Sequence, residues 1–450
     1  MILKLLLVCS VVLKVYCLDV FKHAPIPRLA HEWWGPMHLK YQNDTRIRPF
    51  QVHFDEGMIQ DLRYRLKNHR PFTPPLEGVG FEYGFNTIYL GGWVDYWANH
   101  YPFQKQEAYL NMFPQYKTNI QGLDIHFLWV RPEVKVVPLL LMHGFPGSVR
   151  EFYKTIPMLT RVSEYRDFAV EVIAPSLPGF GFSDPAVRTG LGASEIGVVL
   201  RNLMHRLGFK KFYIQGGDWG AYIGLSIATL YPQVLGYHTN LATSLSPSAL
   251  ALWVLGSIYP PLVVDPQLAH RMYPLLSYIC FLTRETGYLH IQATKPDTLG
   301  VAMADSPSGL LAYVLQLFSS GSRRRYYYRA DGGLDELFTR EELIDNLMIY
   351  WITNTFTTAS RIYAETINLR NLKLSVIPTP VPTWTIHARD EILYQSPTLL
   401  RIKYPNLLNS TVLDTGGHFL ALELPHVFAD DVLNAITAFR RYRKKNKHGY

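Results

Sequence analysis

The sequence contains very few cysteines. Only three occur in 450 residues, and two of them, Cys9 and Cys17, stand in the N-terminal apolar segment. The rest of the chain holds a single cysteine, Cys280, which excludes an internal disulfide framework and a cysteine-based zinc cluster. Because Cys280 stands in the apolar run SYICFL, we expect it to be buried as a small apolar side chain.

Charged residues are also scarce. They make up 18% of the chain, whereas hydrophobic residues make up 48%, which is typical of a globular protein with a large core. The length allows about two or three domains. The formal net charge is +8, but the basic runs are confined to residues 323–325 and 440–447. No nucleic-acid-binding motif accompanies them, so we expect a solvated loop, a frayed terminus and no nucleic-acid partner.

Long uninterrupted apolar runs are absent, even at the N-terminus. The opening segment MILKLLLVCSVVLKVYCLDV is interrupted by Lys4 and Lys14, and spanning a bilayer takes about 20 apolar residues. Lysines near helix ends can still reach the membrane surface. Residues 1–19 are therefore predicted to be either a single anchor in the endoplasmic reticulum (microsomal) membrane or a signal whose cleavage leaves the chain in the secretory lumen. Sequons at Asn43 and Asn409 fit a lumenal location.

The order of the secondary-structure patterns predicts an α/β fold. Residues 20–115 show a mixed pattern without repeats and are assigned to an N-terminal extension, with an amphipathic helix predicted at 56–66. Short apolar runs then alternate with helical patterns, which predicts a mostly parallel sheet covered on both faces. The predicted strands of this part are residues 138–142, 170–174, 212–215, 234–239, 383–387 and 411–413.

One long interval interrupts this alternation. Residues 245–372 are helical in pattern, rich in aromatic residues and punctuated by prolines. We interpret them as a helical cap inserted between two strands and placed over the strand ends. The core of the protein is then formed by residues 116–244 and 373–450.

The stretch FYIQGGDWGAYIGLS, residues 212–226, has the pattern of a sharp turn from a strand into a helix. Hydrolases often place a serine at the centre of such a turn, in the pattern G-x-S-x-G, but here Asp218 stands there. An aspartate could instead cap the helix, although the turn context on both sides favours a nucleophile. A carboxylate can attack a saturated carbon that bears a good leaving group and so form an ester. Hydrolysis of that ester at the aspartate's own carbonyl requires a base and an oxyanion hole.

The chain order of such hydrolases, nucleophile, then acid, then histidine, indicates the partners of this aspartate. His418 follows the last predicted strand and is the candidate base. Asp390 and Glu391 follow the preceding strand, and either could orient the imidazole. The candidate oxyanion donors are the backbone N–H groups of Trp219, directly after the nucleophile, and of Phe145, in the loop HGFPGS.

An ordered set of segments runs over nearly the whole length of the chain: EWWGP (residues 32–36), IRPFQV (47–52), FTPPLEG (72–78), GLDIHF (122–127), PSLPGFGFSD (175–184), FYIQGGDWG (212–220), TGYLHIQATKPDT (286–298) and GGHF (416–419). In these segments the chain resembles the microsomal epoxide hydrolases, a family that includes the juvenile hormone epoxide hydrolases of insects. The resemblance implies an α/β-hydrolase fold with a helical cap (lid) domain and an N-terminal extension. It also implies conversion of an epoxide and water to a vicinal diol through an aspartyl ester, without a metal or organic cofactor.

The resemblance implies a role for each candidate residue. Asp218 corresponds to the nucleophile of the family and His418 to the base that activates water. The stretch EILYQSP aligns the family's acid with Glu391. At position 145 the family usually has tryptophan where this chain has Phe145; because the donor there is the backbone N–H, we expect the oxyanion hole to survive.

Two tyrosines of the predicted cap, Tyr288 in TGYLHIQ and Tyr363 in SRIYAET, match the family's proton donors to the epoxide oxygen. Opening an epoxide produces an alkoxide, and a phenol with a pKa near 10 keeps its proton at neutral pH and can donate it. The aromatic cap and the predicted membrane location favour a lipophilic epoxide substrate. Juvenile hormone is the leading candidate and xenobiotic epoxides come next.

Two other functions fit part of this pattern. A haloalkane dehalogenase uses the same fold and ester chemistry, but it needs side-chain N–H donors for the halide. Trp219 could supply one, whereas Phe145 cannot, and the paired cap tyrosines would be superfluous. A catalytically silent lipid-binding homologue could use the same apolar cap, but it would not need a complete set of nucleophile, base, acid and two phenols.

Overall fold

The computed structural model describes residues 25–41 and 44–447. The predicted N-terminal anchor or signal, residues 1–19, and the sequon at Asn43 lie outside the described residues, so both stay predictions. Among the described residues no single helix is long and apolar enough to cross a bilayer. The consecutive helices Pro296–Asp305 and Pro307–Ser322 meet the length and composition requirements only as a pair, and they are bent by 118° at their junction.

The described residues contain one sheet of nine strands. The strands are β1 (Arg48–Phe50), β2 (Gln115–Ile120), β3 (Leu123–Val130), β4 (Val136–Met142), β5 (Ala169–Pro175), β6 (Tyr213–Gly216), β7 (Gly236–Thr239), β8 (Thr383–His387) and β9 (Leu407–Val412). Their order in the sheet is β1-β2-β3-β5-β4-β6-β7-β8-β9. The first strands pair antiparallel, as far as β3 with β5, and all later pairs are parallel.

The predicted mostly parallel sheet is therefore present. Its apolar strands are the buried ones: all seven residues of β5 are buried, and a strand covered on both faces reads as a continuous apolar run. The last strand begins at Leu407 rather than at residue 411, because its polar centre, Asn409 and Ser410, hides the strand pattern. Strand β1 is a three-residue edge strand that has no sequence signal of its own.

Helices lie on both sides of the sheet. Ala193–Arg206 packs against Asp218–Leu230, and Pro425–Lys447 packs against Ile156–Thr160 and the strands β7 and β8. The remaining α-helices are Glu56–Lys67, Thr87–Asp95, Phe103–Leu110, Pro247–Leu255, Leu275–Glu285, Gly287–Thr294, Pro296–Asp305, Pro307–Ser322, Leu334–Leu337, Arg340–Thr353, Phe356–Thr366, Leu369–Val376, Pro397–Lys403 and Leu420–Glu423. Short 3₁₀ helices occur at Met37–Leu39, Val149–Phe152, Pro260–Leu262, Pro266–Arg271 and Arg324–Tyr328, with a π-helical turn at Tyr96–His100.

The helices from Pro247–Leu255 to Leu369–Val376 all fall between β7 and β8. Since β7 and β8 are neighbouring parallel strands, this insertion leaves and re-enters the sheet at one place. The helices of the N-terminal extension pack against it, as Glu56–Lys67 and Thr87–Asp95 do against Pro307–Ser322. The extension is thereby attached to the insertion as well as to the edge of the sheet.

A buried carboxylate joins the three parts of the chain. Asp345, in the insertion, accepts hydrogen bonds from the Tyr101 hydroxyl of the extension at 2.8 Å and from Arg150 Nε of the core at 2.8 Å. The Asp345 side chain is fully buried and that of Arg150 is 4% exposed. Burial raises the pKa of the Asp345 carboxyl to about 6 in spite of the neighbouring guanidinium.

Two expectations about exposure are wrong. Cys280 is exposed, because SYICFL forms part of the helix Leu275–Glu285, on which Tyr278 faces inward and Cys280 lies about 200° further round the helix. In the basic run at 323–325, Arg323 is buried and forms an ion pair with Glu423. That run is therefore only partly a solvated loop.

The second basic run, residues 440–447, is not the expected frayed terminus. It continues the helix Pro425–Lys447. Arg440 forms an ion pair with Asp167, and Arg443 Nε donates a hydrogen bond to the Leu235 carbonyl at 2.7 Å, so contacts with the core hold this end of the helix.

We predict that Asp345→Ala destabilises the protein strongly. The change leaves the Arg150 charge buried without its partner, which costs about 3–5 kcal/mol in free energy of unfolding. Urea unfolding at pH 8, where the wild-type carboxyl is ionised, measures the effect. The matched control is Asp297→Ala, which breaks an exposed pair with Arg361 and should cost less than about 1 kcal/mol. Equal shifts of the urea midpoint in the two variants would contradict the structural role given to Asp345.

Candidate active site

The turn between β6 and the helix Asp218–Leu230 is too crowded for ordinary side chains. A Cβ atom at Gly216 would lie 2.1 Å from the Gly220 carbonyl oxygen, and one at Gly220 would lie 2.3 Å from the Met142 carbonyl oxygen. Asp218 itself has a φ of +47°, in the left-handed region that costs a residue other than glycine on the order of 1–2 kcal/mol. The strand and helix can approach closely only with glycines here, and the strained backbone presents the Asp218 side chain at the end of the sheet.

One oxygen of Asp218 is held by the backbone. Oδ1 accepts a hydrogen bond from the Phe145 N–H at 2.7 Å. The loop before Phe145 comes so close that a Cβ at Gly144 would lie 2.2 Å from this same oxygen. Among the described residues, the backbone N–H of Trp219 makes no hydrogen bond to Asp218, so Phe145 is the predicted oxyanion donor that contacts the carboxylate directly.

The other oxygen of Asp218 faces His418. Oδ2 lies 3.4 Å from Nε2 of His418, while Nδ1 of the same ring lies 2.9 and 3.1 Å from the two carboxylate oxygens of Glu391. Glu391 is 2% exposed. Asp390 instead faces a cleft lined by arginines, so the structure places Glu391, and not its neighbour, beside the imidazole.

The two carboxylates set the charge of His418. Burial alone would lower the pKa of the imidazole, but the charge of Glu391 and the interactions with Asp218 outweigh it and hold the pKa well above its ordinary value. The resting site therefore contains an imidazolium between two carboxylates. The His418 backbone N–H also donates a hydrogen bond to the Gly321 carbonyl at 2.8 Å. This bond attaches the loop that carries His418 to the helical insertion.

The two predicted tyrosines lie at the same site. Tyr288 is on Gly287–Thr294 and Tyr363 on Phe356–Thr366, and their ring centroids are 6.1 Å apart at 82°. The Tyr363 hydroxyl is buried with no hydrogen-bond partner among the described residues. Burial, followed by nearby negative or phenolic groups that include Asp218, raises the pKa of both phenols. Both phenols therefore keep their protons at neutral pH.

A cavity of about 690 Å³ brings these residues together. Asp218, His418, Glu391, Tyr288 and Tyr363 all line it. Its other lining is mainly apolar and includes Leu245, Leu282, Leu289, Ile367, Ile392 and Leu393. A ligand that fits this space is therefore largely apolar and has its reactive group near Asp218.

Two further residues of the HGFPGS loop are placed by packing. The Phe145 side chain is 2% exposed and packs edge-on against Tyr363, with centroids 5.7 Å apart; it supports the tyrosine from behind and does not line the large cavity. His143 accepts a hydrogen bond from the Leu177 N–H at 3.2 Å, and burial lowers its pKa to about 4. His143 therefore braces the loop as a neutral imidazole.

Two polar side chains that no sequence pattern indicates also face the nucleophile. Glu151 and Asn240 line a second, much smaller cavity with Asp218 and His418. Glu151 stands in the 3₁₀ turn after the HGFPGS loop and Asn240 directly after β7, and neither belongs to a motif that signals a role. Only the folded arrangement shows that they meet.

We predict that Glu391→Gln lowers the pKa of His418, because it removes the carboxylate charge that contributes most to raising it. NMR titration of ¹³C-labelled histidine follows the ring directly. Asp390→Asn is the matched control, since it removes a neighbouring charge that does not contact the ring, and it should leave the titration unchanged. An unaltered His418 titration in Glu391→Gln, or an equal shift in both variants, would contradict the assignment of Glu391.

Comparisons with known proteins agree with this fold and show the family of the chain. Residues 47–152 match the family described as "Epoxide hydrolase N terminus", and residues 137–256 match "alpha/beta hydrolase fold". The chain is 51% identical to the juvenile hormone epoxide hydrolase of Bombyx mori over 98% of this chain and 97% of the relative. It is 39% identical to epoxide hydrolase 1 of Sus scrofa over 90% of this chain and 92% of the relative.

Solved structures give the same result. The crystal structure of the Bombyx mori juvenile hormone epoxide hydrolase superimposes with a TM-score of 0.91 and 53% identity, covering 92% of this chain and 99% of that chain. The Aspergillus niger epoxide hydrolase, at 24% identity, shares the fold with a TM-score of 0.71 over 89% of this chain and 97% of that chain. With relatives of this identity aligned over nearly its whole length, the chain belongs to the epoxide hydrolase family and has the α/β-hydrolase fold.

Proposed function

We propose that this protein hydrolyses lipophilic epoxides to vicinal diols through an ester on Asp218. One observation carries the proposal: a single carboxylate lies between a backbone N–H donor and an imidazole, in a cavity that two phenols also line. Each of these groups has a task in opening a strained ether and then hydrolysing an ester. Membership of the epoxide hydrolase family supports the same reaction.

In the first step Oδ2 of Asp218 attacks an epoxide carbon. A C–O bond forms, the ring C–O bond breaks, and the negative charge of the carboxylate moves to the epoxide oxygen. Tyr288 and Tyr363 hydrogen-bond that oxygen, and one of them transfers its proton. The charge of Asp218 raises the pKa of both phenols in the resting site. Ester formation removes that charge, and the resulting lower phenol pKa favours proton transfer to the epoxide oxygen.

In the second step a water molecule attacks the Cγ atom of the ester. Esterification has removed the Asp218 charge that helps to keep His418 protonated, so the ring can lose its proton through solvent to the tyrosinate and then act as the base. The developing oxyanion on Oδ1 already has the Phe145 N–H as its donor. Collapse of the tetrahedral intermediate breaks the Cγ–Oδ2 bond, and the proton that His418 took from water passes to the departing alkoxide, which releases the diol. The new carboxyl group of Asp218, with one oxygen from water, then gives its proton to His418 and restores the resting carboxylate and imidazolium.

The substrate we propose is juvenile hormone, with xenobiotic epoxides as the next candidates. The large cavity is mainly apolar, and burial of apolar surface contributes roughly 25 cal/mol per Å² removed from water. Relatives named juvenile hormone epoxide hydrolase, from Bombyx mori and Manduca sexta, are 51% and 47% identical to this chain. Dehalogenation would give the paired phenols no role. Lipid binding without turnover would give no role to any of the catalytic residues.

We predict that His418→Gln traps the ester. Without a base the first step still occurs and the second does not, so mass spectrometry should find the substrate's mass added to the peptide that contains Asp218. Juvenile hormone should react faster than a small aryl epoxide if it fits the cavity as proposed. Asp218→Ala is the control and should show no adduct. Absence of an adduct in His418→Gln with either epoxide, together with no diol from the wild type, would overturn the proposed function.

We predict that Tyr288→Phe and Tyr363→Phe each slow ester formation, because each removes one donor to the developing alkoxide. A loss on the order of 100-fold is expected for each, and the double variant should form no measurable ester. Rapid-quench kinetics of ester formation measures the effect. Tyr313→Phe removes a cap hydroxyl that accepts a hydrogen bond from Gln292 and should not alter the rate. If both single variants reacted at the wild-type rate, the phenols would have no part in ring opening.

A further inference from the structure

The small cavity beside the nucleophile has the dimensions of a single water molecule. Its volume is about 10 Å³, close to the lower limit for holding one water. Asp218, His418, Glu151 and Asn240 contribute its polar lining, and Phe419 contributes an apolar wall. It lies on the side of Asp218 toward Glu151, whereas the large apolar cavity lies on the side of the cap phenols.

The Glu151 carboxyl occupies space that the absence of a side chain at Gly147 leaves free. Glu151 belongs to the 3₁₀ turn Val149–Phe152, and its side chain crosses Gly147 so closely that a Cβ there would lie 1.4 Å from Oε1. Any other residue at 147 would displace the carboxyl. The helix Leu420–Glu423, just after His418, packs against the same turn and closes the other side.

Glu151 has no task in the structure other than facing this cavity. Among the described residues its carboxyl forms no hydrogen bond and no ion pair, and it does not belong to the pair formed by His418 and Glu391. The amide of Asn240 differs, because its oxygen already accepts a hydrogen bond from Gln215 at 3.0 Å. Both oxygens of the Glu151 carboxyl are therefore available to a ligand in this cavity.

The protonation of Glu151 suits a water molecule. Burial raises its pKa to about 8, with the Asp218 charge adding to the shift and the His418 imidazolium opposing it. At neutral pH the carboxyl is mainly protonated, and a protonated carboxyl can both donate and accept a hydrogen bond. It can therefore hold a water molecule without competing with His418 as a base.

We propose that Glu151 holds the hydrolytic water beside the ester carbonyl of Asp218. The inference rests on the proposed function. The water oxygen attacks Cγ of the ester, one of its protons passes to Nε2 of His418, and its other hydrogen is donated to the Glu151 carbonyl oxygen. Glu151 gains and loses no proton overall. Glu151 therefore acts in the hydrolysis of the ester and not in the opening of the epoxide ring.

The test separates the two steps in single-turnover rapid-quench experiments with the full-length protein and a lipophilic epoxide. Glu151→Met keeps the side-chain size but cannot hydrogen-bond water; ester formation should stay within about twofold of wild type, while ester hydrolysis slows on the order of 100-fold, so the Asp218 ester accumulates. Glu151→Gln, which still donates and accepts, should restore hydrolysis to within about threefold. Glu171→Gln, a buried carboxyl bonded to Trp129 and remote from the site, should leave both rates unchanged.

Other results would overturn the inference. Wild-type hydrolysis of the ester by Glu151→Met would remove Glu151 from the reaction, and equal slowing of both steps would make its role structural. Hydrolysis as slow in Glu151→Gln as in Glu151→Met would exclude a neutral carboxyl as the holding group. If Glu151→Met does not fold, Glu151→Ala repeats the test. Failure of the proposed function is distinguishable, because the wild type itself would then form no ester.

Discussion

The whole site depends on the close approach of β6 and its following helix at Asp218. Glycines at 216 and 220 allow that approach, and the positive φ of Asp218 is the strain it requires. The result is a carboxylate whose two oxygens have different neighbours: Oδ1 contacts the Phe145 N–H, and Oδ2 faces His418. One oxygen is thereby prepared to carry negative charge in an intermediate, and the other is left to form a bond. The left-handed backbone of Asp218 costs stability, and the glycines around it make the close approach possible. Both features serve to place the carboxylate for reaction.

Much of this arrangement was predictable from sequence. The parallel strands are long apolar runs, and the turn at Asp218 has its glycines at fixed positions, so local pattern alone indicates where the nucleophile stands. Chain order then indicates His418. It did not distinguish Asp390 from Glu391, because adjacent residues after a strand differ only in the direction of their side chains. The family resemblance favoured Glu391, and the structure places that residue 2.9 Å from His418.

The parts that were not predictable depend on contacts between distant segments. Asp345 meets Tyr101 and Arg150 across separations of about 200 residues or more, and no local pattern records such a junction. Glu151 reaches the nucleophile only because Gly147 has no side chain in its path. The prediction that Cys280 is buried is wrong because an apolar run does not indicate which face of its helix packs against the core. In each case the surroundings of the side chain are set by the fold and not by the residues next to it in the sequence.

The central claim is that Asp218 bonds covalently to the substrate, and isotopic labelling tests it most directly. In a single turnover in oxygen-18 water with enzyme in excess, the new hydroxyl oxygen of the diol should come from Asp218 and be unlabelled, while one oxygen-18 atom appears in the Asp218 carboxylate. A diol that carries the label in this first turnover, with an unlabelled Asp218, would mean direct attack of water on the epoxide and would contradict the account.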